Sequence, residues 1–309
     1  MSDSEPRKAA GAVAGADRLR RFLFEDAPVR GHWVRLSRTW MDAREHQVLP
    51  LPVMQLLGES LAAISLIAAS LKFTGTLTLQ LSGGTGPVTM LVAQATDVGT
   101  LRGVAHAAAS DASVADFQQL VGGGRLVVSM EQGDGMIPWQ GVVPLLGNSL
   151  AQSLENYFAA SEQVPTAIVL AADATHAAGL LLQKLPGSLG EGEAAGIQDV
   201  WEEATALLAT LRADELLAWD VEELLHKLFG GRDLRLFDAE PVRFACRCSR
   251  ERVATMLAGV GKSEVDSIVA EQGAVTVTCE FCCKPYRFDA VDAAQLFIAA
   301  GAGAPTDLN

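Results

Sequence analysis

Apolar and polar positions alternate along this chain with two different periods, and the change of period predicts three zones. In residues 1–185, runs of period two, typical of half-buried strands, are mixed with runs of period three to four, typical of helices. Leu77, Leu79 and Leu81 alternate with polar residues ahead of a turn at 82–87, which predicts a hairpin. The remaining predictions are strands at 89–95, 124–130, 140–145, 166–172 and 179–184, and helices at 53–71, 114–121 and 149–161, the last capped by Asn148 or Ser149.

These elements predict that residues 1–185 form an α/β domain on a mainly antiparallel sheet. A composition break at 186–190 then opens a second zone, residues 186–237, whose apolar spacing predicts three amphipathic helices. Residues 191–223 contain ten acidic side chains and one basic one, Arg212. Because like charges crowd together there, we interpret this zone as a helical linker that is stable only when it is docked on its neighbours.

The third zone, residues 238–309, contains all five cysteines of the chain, between Cys246 and Cys283. They form a Cys246-x-Cys248 pair, then thirty intervening residues, then Cys279-x-x-Cys282 followed by Cys283. Two close pairs separated by a folded segment are typical of a tetrahedral zinc site, in which each pair supplies two thiolates. Predicted elements are strands at 241–245 and 274–278 and helices at 249–257, capped by Ser249, and at 262–270. That is little core for a domain without a metal. The whole chain is therefore predicted to be α+β, with a small zinc-binding domain at its C-terminal end.

The ligand set is predicted to consist of cysteines alone. Cys279 and Cys282 have the spacing of a metal-binding turn, which leaves Cys283 as a spare thiol beside the site. The five histidines all precede the cluster. Four thiolates give a closed site, so a Zn²⁺ ion here would be structural. Each pair also lies close enough in sequence for a disulfide, so a metal clamp, two disulfides or a switch between them all remain open.

Composition indicates the cellular compartment of the protein and limits the kinds of partner that it can bind. The N-terminus has no apolar run of the kind found in signal peptides, which predicts a cytoplasmic protein, where structural disulfides are rare. The longest apolar stretch, 61–71, is too short to span a bilayer, so no membrane association is predicted. A net charge of −13 argues against nucleic-acid binding. No catalytic triad or nucleotide-binding motif stands out, so the chain is interpreted as a non-enzyme.

The cysteine pattern carries a resemblance to a known family. Together with 249–252 (Ser-Arg-Glu-Arg) and 264–268 (Glu-Val-Asp-Ser-Ile), it resembles the 33 kDa chaperonin family of redox-regulated heat-shock chaperones. Upstream segments are similar to that family in the same order, at 21–24, 29–31, 57–59, 71–73, 102–105, 140–143 and 161–163. The likeness covers nearly the whole chain. The family usually has glycine after the last ligand, where this chain has Cys283.

The resemblance implies an ATP-independent holdase that is inactive when reduced and zinc-bound, and is activated by oxidants, especially with heat. It implies one Zn²⁺ held by Cys246, Cys248, Cys279 and Cys282, and, after oxidation, the disulfides Cys246–Cys248 and Cys279–Cys282. Loss of the metal is expected to unfold the C-terminal zone and release the acidic helices, whose apolar faces and the sheet beneath them then bind unfolding client proteins. A homodimer is expected in the oxidised state.

Two rival interpretations stay open at this point. Cys279-x-x-Cys282 is also the pattern of a thiol-disulfide oxidoreductase, although no thioredoxin-like βαβ unit precedes it and the first pair is then unexplained. A nucleic-acid-binding zinc ribbon is the other, supported only by a local basic patch at Arg243, Arg247, Arg250 and Arg252.

Overall fold

The structure is a computed structural model that describes residues 17–108, 116–132, 139–186 and 191–301. The chain divides into two compact units, Met1–Ala245 and Cys246–Asn309. In chain order the described strands are β1 (Arg18–Phe24), β2 (Val29–Leu36), β3 (Thr76–Ser82), β4 (Val88–Thr96), β5 (Thr100–Ala107), β6 (Arg125–Glu131), β7 (Trp139–Pro144), β8 (Thr166–Ala172), β9 (Ala177–Lys184), β10 (Leu234–Leu236), β11 (Glu240–Pro241), β12 (Arg243–Phe244), β13 (Ala274–Thr278) and β14 (Pro285–Asp289).

The described helices are spread over both units. They are α1 (Arg38–Arg44), α2 (Leu51–Ser70), α3 (Phe117–Val121), α4 (Leu150–Tyr157), α5 (Glu191–Leu208), α6 (Ala213–Ala218), α7 (Val221–Phe229), α8 (Arg250–Val260), α9 (Lys262–Gln272) and α10 (Ala290–Gly301). A single π-helical turn, Phe158–Glu162, continues α4. The fold is therefore α+β, as predicted.

The first unit is built on two sheets. The first sheet has the strand order β10-β1-β2-β9-β8, with β11 also paired to β1, and every pair in it is antiparallel. The second sheet has the order β12-β5-β4-β3-β6-β7, and only its short edge strand β12 runs parallel to its neighbour. The predicted antiparallel pairing is confirmed, but it is divided over two sheets.

Helix α2 lies in the core of the first unit and contacts strands of both sheets. Among the described residues it is the one helix long and apolar enough to cross a membrane, with a mean hydropathy of 1.6 over its best window. However, 72% of that window is buried inside the protein, including Leu57, Leu61 and Ile64, which have no exposed surface. It is therefore the core helix of a globular unit, and its bounds agree with the helix predicted at 53–71.

Several sequence predictions are confirmed closely and others missed elements. The 76–88 hairpin forms with Leu79 opposite Ala93, and Ser149 accepts a hydrogen bond from the Gln152 amide at the start of α4, at 3.1 Å. The pattern gave no sign of β1, β2, β5, β10, β14 and α10. Strand β2 is covered on both faces, so six of its eight residues are buried and period-two alternation is lost. Residues 114–115 of the helix predicted at 114–121 and 187–190 of the composition break lie outside the described residues.

The predicted strand at 241–245 belongs to the first unit. Residues of β11 pair with β1 and those of β12 pair with β5, and the Ala245 amide donates to the Leu101 carbonyl at 3.0 Å. The sequence pattern placed these residues with the cysteines because it could not show which strand they pair with. The contact boundary between the two units therefore falls directly before Cys246.

Candidate metal centre

The cysteine-containing unit is folded around a small core. Strands β13 and β14 form a two-stranded antiparallel sheet, and helices α8, α9 and α10 pack beside it. Among its described residues the buried apolar cluster is small: Val253, Leu257, Val265, Val275, Tyr286, Phe288 and Ala293. Ser249 accepts a hydrogen bond from the Arg252 amide at 3.2 Å, which caps α8 as the sequence predicted. So small a core indicates that the unit needs a further source of stability.

Four of the five cysteines converge at one point of this unit. Cys279 and Cys282 lie in the tight turn between β13 and β14, and Cys246 and Cys248 lie in the extended segment before α8. The Sγ atoms of all four lie within 4.8 Å of one another. Cys246 Sγ is 3.5 Å from Cys279 Sγ, and Cys248 Sγ is 3.4 Å from Cys282 Sγ. The structure therefore brings together the four residues whose spacing predicted a site.

These distances fit a tetrahedral metal ion. Sulfurs about 2.3 Å from a zinc ion lie about 3.8 Å from one another at the edges of a tetrahedron. The five cysteines are all among the described residues, and none of them is in a disulfide. Because four thiolates this close repel one another strongly, they need a cation among them to ionise together. The set can thus hold one metal ion, and four sulfur donors favour zinc over the hard cations that prefer oxygen.

The pKa values of these thiols depend on burial, which raises them, and on backbone amides that donate to the sulfurs, which lower them. Burial raises the pKa of the Cys246 thiol, but hydrogen bonds from the Cys248 amide and from the neighbouring thiols outweigh it and lower that pKa to about 7. The amides of Phe281 and Cys282 donate to the Cys279 sulfur, yet burial keeps the pKa of Cys279 above its usual range. Burial also raises the pKa of Cys282, against one amide donor from Lys284. Without a cation, the cluster therefore favours a single thiolate that accepts hydrogen bonds from its protonated neighbours.

The Tyr286 hydroxyl belongs to this centre, and no pattern in the sequence pointed to it. It donates to the Cys248 sulfur at 3.1 Å, and this hydrogen bond is the main reason that the pKa of Tyr286 is raised. A hydrogen bond to a ligand sulfur orients the ligand and reduces its charge. Tyr286 lies on β14, four residues after Cys282, so only the pairing of β13 with β14 brings it to the site.

Cys283 stands apart from the four. It is exposed, and its φ of 52° lies in the left-handed region that favours glycine. Its amide donates to the Cys279 carbonyl at 2.8 Å, which closes the turn. The structure thus gives the physical reason for a glycine at this position in the resembled family. Cys283 is not part of the four-sulfur cluster.

The linker helices α5, α6 and α7 cover one face of the first sheet. We call the covered side the docking face; its buried residues are Phe22, Phe24, Val29, Trp33, Ala171, Ala178, Leu180 and Leu182. Opposite them the linker helices and the adjoining turn bury Val200, Ala204, Leu208, Leu211, Leu216, Val221, Leu224, Leu225, Leu228 and Phe229. This cluster is separate from the core around α2. The amphipathic faces predicted from the sequence are confirmed, and their partner is the first sheet.

An aromatic group anchors the end of α7 on the docking face. The Phe229 ring is 5.3 Å from the Phe24 ring in an edge-to-face arrangement and 6.4 Å from the Phe22 ring. The Phe22 ring in turn lies across Gly31, where any Cβ atom would collide with it, so glycine is required there. Phe229 is 1% exposed. It is the largest fully buried side chain that the linker helices contribute.

Arginines from outside the linker helices neutralise part of their acidic charge. Arg35 of β2 donates to Asp220 at 2.6 Å and to the carbonyls of Ala218 and Trp219, both at 3.1 Å. Arg20 of β1 pairs with Glu222 at 3.1 Å. Arg232, in the turn after α7, pairs with Glu203 and with Asp26. The like-charge crowding read from the sequence is therefore relieved in the docked state by residues that are distant in sequence.

Comparisons with known proteins agree with this fold. A family model described as "Hsp33 protein" matches residues 17–289. The 33 kDa chaperonin of Ectopseudomonas mendocina is 42% identical over 292 residues, 94% of this chain and 98% of that protein. That of Chromobacterium violaceum is 44% identical over 283 residues, 91% of this chain and 94% of that protein. The crystal structure of the 33 kDa chaperonin (heat shock protein 33 homolog) of Thermotoga maritima has a TM-score of 0.79 at 24% identity, covering 92% of this chain and 99% of that one.

Fold, cysteine cluster and relatives together define a chaperone. More particularly, the chain belongs to the Hsp33 family, which confirms the resemblance drawn from the cysteine spacing and the upstream segments.

Proposed function

We propose that this protein is a redox-regulated, ATP-independent holdase of the cytoplasm, and that the four-cysteine cluster is its switch. The observation that carries the proposal is the convergence of four thiols, from two distant segments, to within 4.8 Å of one another. In the reduced state Cys246, Cys248, Cys279 and Cys282 would hold one zinc ion, which supplies a folding energy on the order of 10 kcal/mol in small modules. We assign residues 1–185 to client binding, 186–237 to the linker and 238–309 to the switch.

Oxidation acts on this switch through the ligand sulfurs. In each pair two zinc-bound thiolates lose two electrons and form one disulfide, and one molecule of hydrogen peroxide takes up those electrons, with two protons from the solvent, to give two waters. We infer the pairs Cys246–Cys248 and Cys279–Cys282. Both lie within reach, since all four sulfurs are neighbours. Sulfurs joined in disulfides are no longer thiolate ligands, so the metal is released and the small unit loses its main stabilising contribution.

Client binding follows from the release of the linker helices. They precede the cysteine unit in sequence, with the short strands β10, β11 and β12 between, and their docking buries a continuous apolar cluster on the first sheet. When α5, α6 and α7 leave the docking face, Phe22, Phe24 and Trp33 become exposed, together with Leu180 and Leu182 of β9. A continuous apolar surface exposed to solvent is typical of protein-binding sites. Unfolding proteins are the proposed partners, and a second copy of the chain is the proposed partner in the oxidised state.

The oxidoreductase alternative is not favoured by the geometry. Cys279-x-x-Cys282 lies in a tight turn between two antiparallel strands, whereas a redox-active pair of the thioredoxin type lies near a βαβ unit. Such an enzyme also needs a nucleophilic thiol of low pKa. Here burial raises the pKa of both Cys279 and Cys282, and the thiol of lowered pKa is Cys246.

The test measures zinc content and suppression of client aggregation on the same sample, before and after peroxide. We expect one zinc per reduced chain and little suppression, then loss of zinc, two disulfides and strong suppression. Peptide mapping identifies the disulfide pairs. A Cys283→Ser variant is the matched control, because it removes a thiol outside the four-sulfur cluster and leaves the switch intact. Suppression that is equal before and after peroxide, with zinc retained, would refute redox control while leaving chaperone activity in place.

A further inference from the structure

The docking face has an apolar centre and a basic rim. Phe22, Phe24 and Trp33 occupy the centre with Leu180 and Leu182 of β9. Arg20 and Arg35 lie on the adjacent strands β1 and β2, and their side chains are only 17% and 23% exposed because the linker helices cover them. At the end of β9, Lys184 donates to Gln198 of α5 at 2.6 Å. All three cations face the linker helices.

The occupant of this face in the reduced protein has the complementary chemistry. Helices α6 and α7 present a leucine-rich side to the centre of the face and carboxylates to its rim. Asp220 would cap the start of α7, but its side chain makes no capping hydrogen bond and pairs with Arg35 instead. Glu222, in the first turn of α7, pairs with Arg20. The arginines thus recognise acidic groups at the start of an amphipathic helix.

This occupant leaves one polar group of the face without a partner. The Trp33 side chain is 4% exposed, and its Nε1 donor makes no hydrogen bond within the described residues. A buried donor without an acceptor is destabilising. Trp33 also lies beside Arg35, whose guanidinium carbon is 5.7 Å from the indole ring. The covering helices therefore fit the face well in shape and charge and leave a hydrogen-bond donor next to the basic rim.

We propose that the docking face selects client segments that resemble the linker helices it releases, namely amphipathic segments carrying acidic side chains. Their leucine-rich or aromatic side packs on the apolar centre, and their carboxylates pair with Arg20 and Arg35. A client carboxylate or carbonyl can also accept from Trp33 Nε1, which the linker helices do not satisfy. The inference deepens the proposed function and rests on it, because the face must first be uncovered.

The experiment compares two labelled peptides by fluorescence anisotropy. One has the sequence of residues 212–230 of this chain, and the other has lysine in place of Asp220, Glu222 and Glu223, so the apolar residues are matched. Binding is measured to the peroxide-oxidised full chain and to a reduced Phe229→Asp variant, which uncovers the face without oxidation. Leu225→Asp serves if Phe229→Asp does not fold. Because each exposed ion pair contributes little, we expect the acidic peptide to bind about fivefold more tightly, and less so at high salt.

Variants of the rim identify the source of the preference. An Arg20→Gln/Arg35→Gln double variant should bind both peptides equally, whereas Arg125→Gln, an exposed arginine of the second sheet, should keep the preference. Equal binding of the two peptides, no binding of either, or a preference that survives in the double variant would overturn the proposal. If the preference appears only in the reduced Phe229→Asp variant, the proposal stands and redox release fails. If oxidised protein suppresses aggregation without any preference, redox release stands and the proposal fails.

Discussion

Truncation of Phe229 to alanine should release the linker helices without oxidation. Phe229 is the last residue of α7, is 1% exposed, and packs against Phe22 and Phe24 on the docking face. It makes no contribution to the cluster around α2, which holds the first unit together. The substitution is therefore expected to weaken the attachment of the linker more than the fold beneath it.

The magnitude follows from burial and ring packing. Truncating a fully buried phenylalanine to alanine typically costs about 3–5 kcal/mol. The aromatic contacts account for about 0.5–1.5 kcal/mol of such a loss per pair. Because about 1.4 kcal/mol corresponds to a factor of ten, the ratio of docked to undocked linker should fall by at least about 100-fold. The surface ion pairs at Arg20 and Arg35 contribute about 1 kcal/mol or less each and cannot offset this loss.

Hydrogen exchange of the reduced, zinc-loaded protein measures the effect directly. We expect the amides of α5, α6 and α7 to lose protection in Phe229→Ala while those of α2 keep it, since local opening needs less free energy than global unfolding. Zinc content should stay at one per chain. Aggregation suppression should rise before any peroxide is added.

Phe158→Ala is the matched control. Phe158 is 6% exposed and packs in the other cluster, around α2, so its truncation removes a similar ring from the same unit without touching the linker. It should lower the melting temperature and leave α7 protected. If α7 keeps its protection in Phe229→Ala, or loses it equally in both variants, the linker is not a separately releasable element and the reasoning is wrong.

Three further predictions concern single residues. Cys248→Ser should lower zinc content well below one per chain by metal analysis of reduced protein, and unchanged zinc would remove Cys248 from the ligand set. Cys283→Gly should keep zinc and give a more homogeneous disulfide pattern on peptide mapping, because glycine suits the φ of 52° and removes a competing thiol; loss of zinc would show that Cys283 is a ligand. Burial, with the charges of Arg30 and Arg21, lowers the pKa of His32 from 6.5 to about 3. The unfolded chain therefore binds the extra proton below pH 6.5, so stability falls as pH falls from 6.5 towards 3, by about 2 kcal/mol at pH 5 from this group. Urea unfolding should show that the loss of stability between pH 7 and pH 5 is smaller in His32→Gln than in the unsubstituted protein. An equal loss in both proteins would contradict this prediction.

The sequence alone carried much of the fold where local signals are strong. Alternation at Leu77, Leu79 and Leu81 predicted the hairpin of β3 and β4, and hydroxyl caps marked the starts of α4 and α8. The signal failed for β2, because a strand buried on both faces does not alternate. It also could not assign residues 241–245, whose partners β1 and β5 are more than a hundred residues away.

Part of the candidate site was likewise predictable from the sequence, and part of it depended on the tertiary fold. The convergence of four cysteines was predictable from their spacing, because two cysteines close together in sequence can present their sulfurs to one point. Tyr286 at the Cys248 sulfur depended on strand pairing, and Arg20 and Arg35 under the acidic helices depended on tertiary packing. The sequence thus determined the chemistry of the thiols and the amphipathic character of the linker helices. Only the tertiary structure decided which surface those helices cover and which charges hold them there, since these contacts join residues about 200 positions apart and no local pattern encodes such a pair.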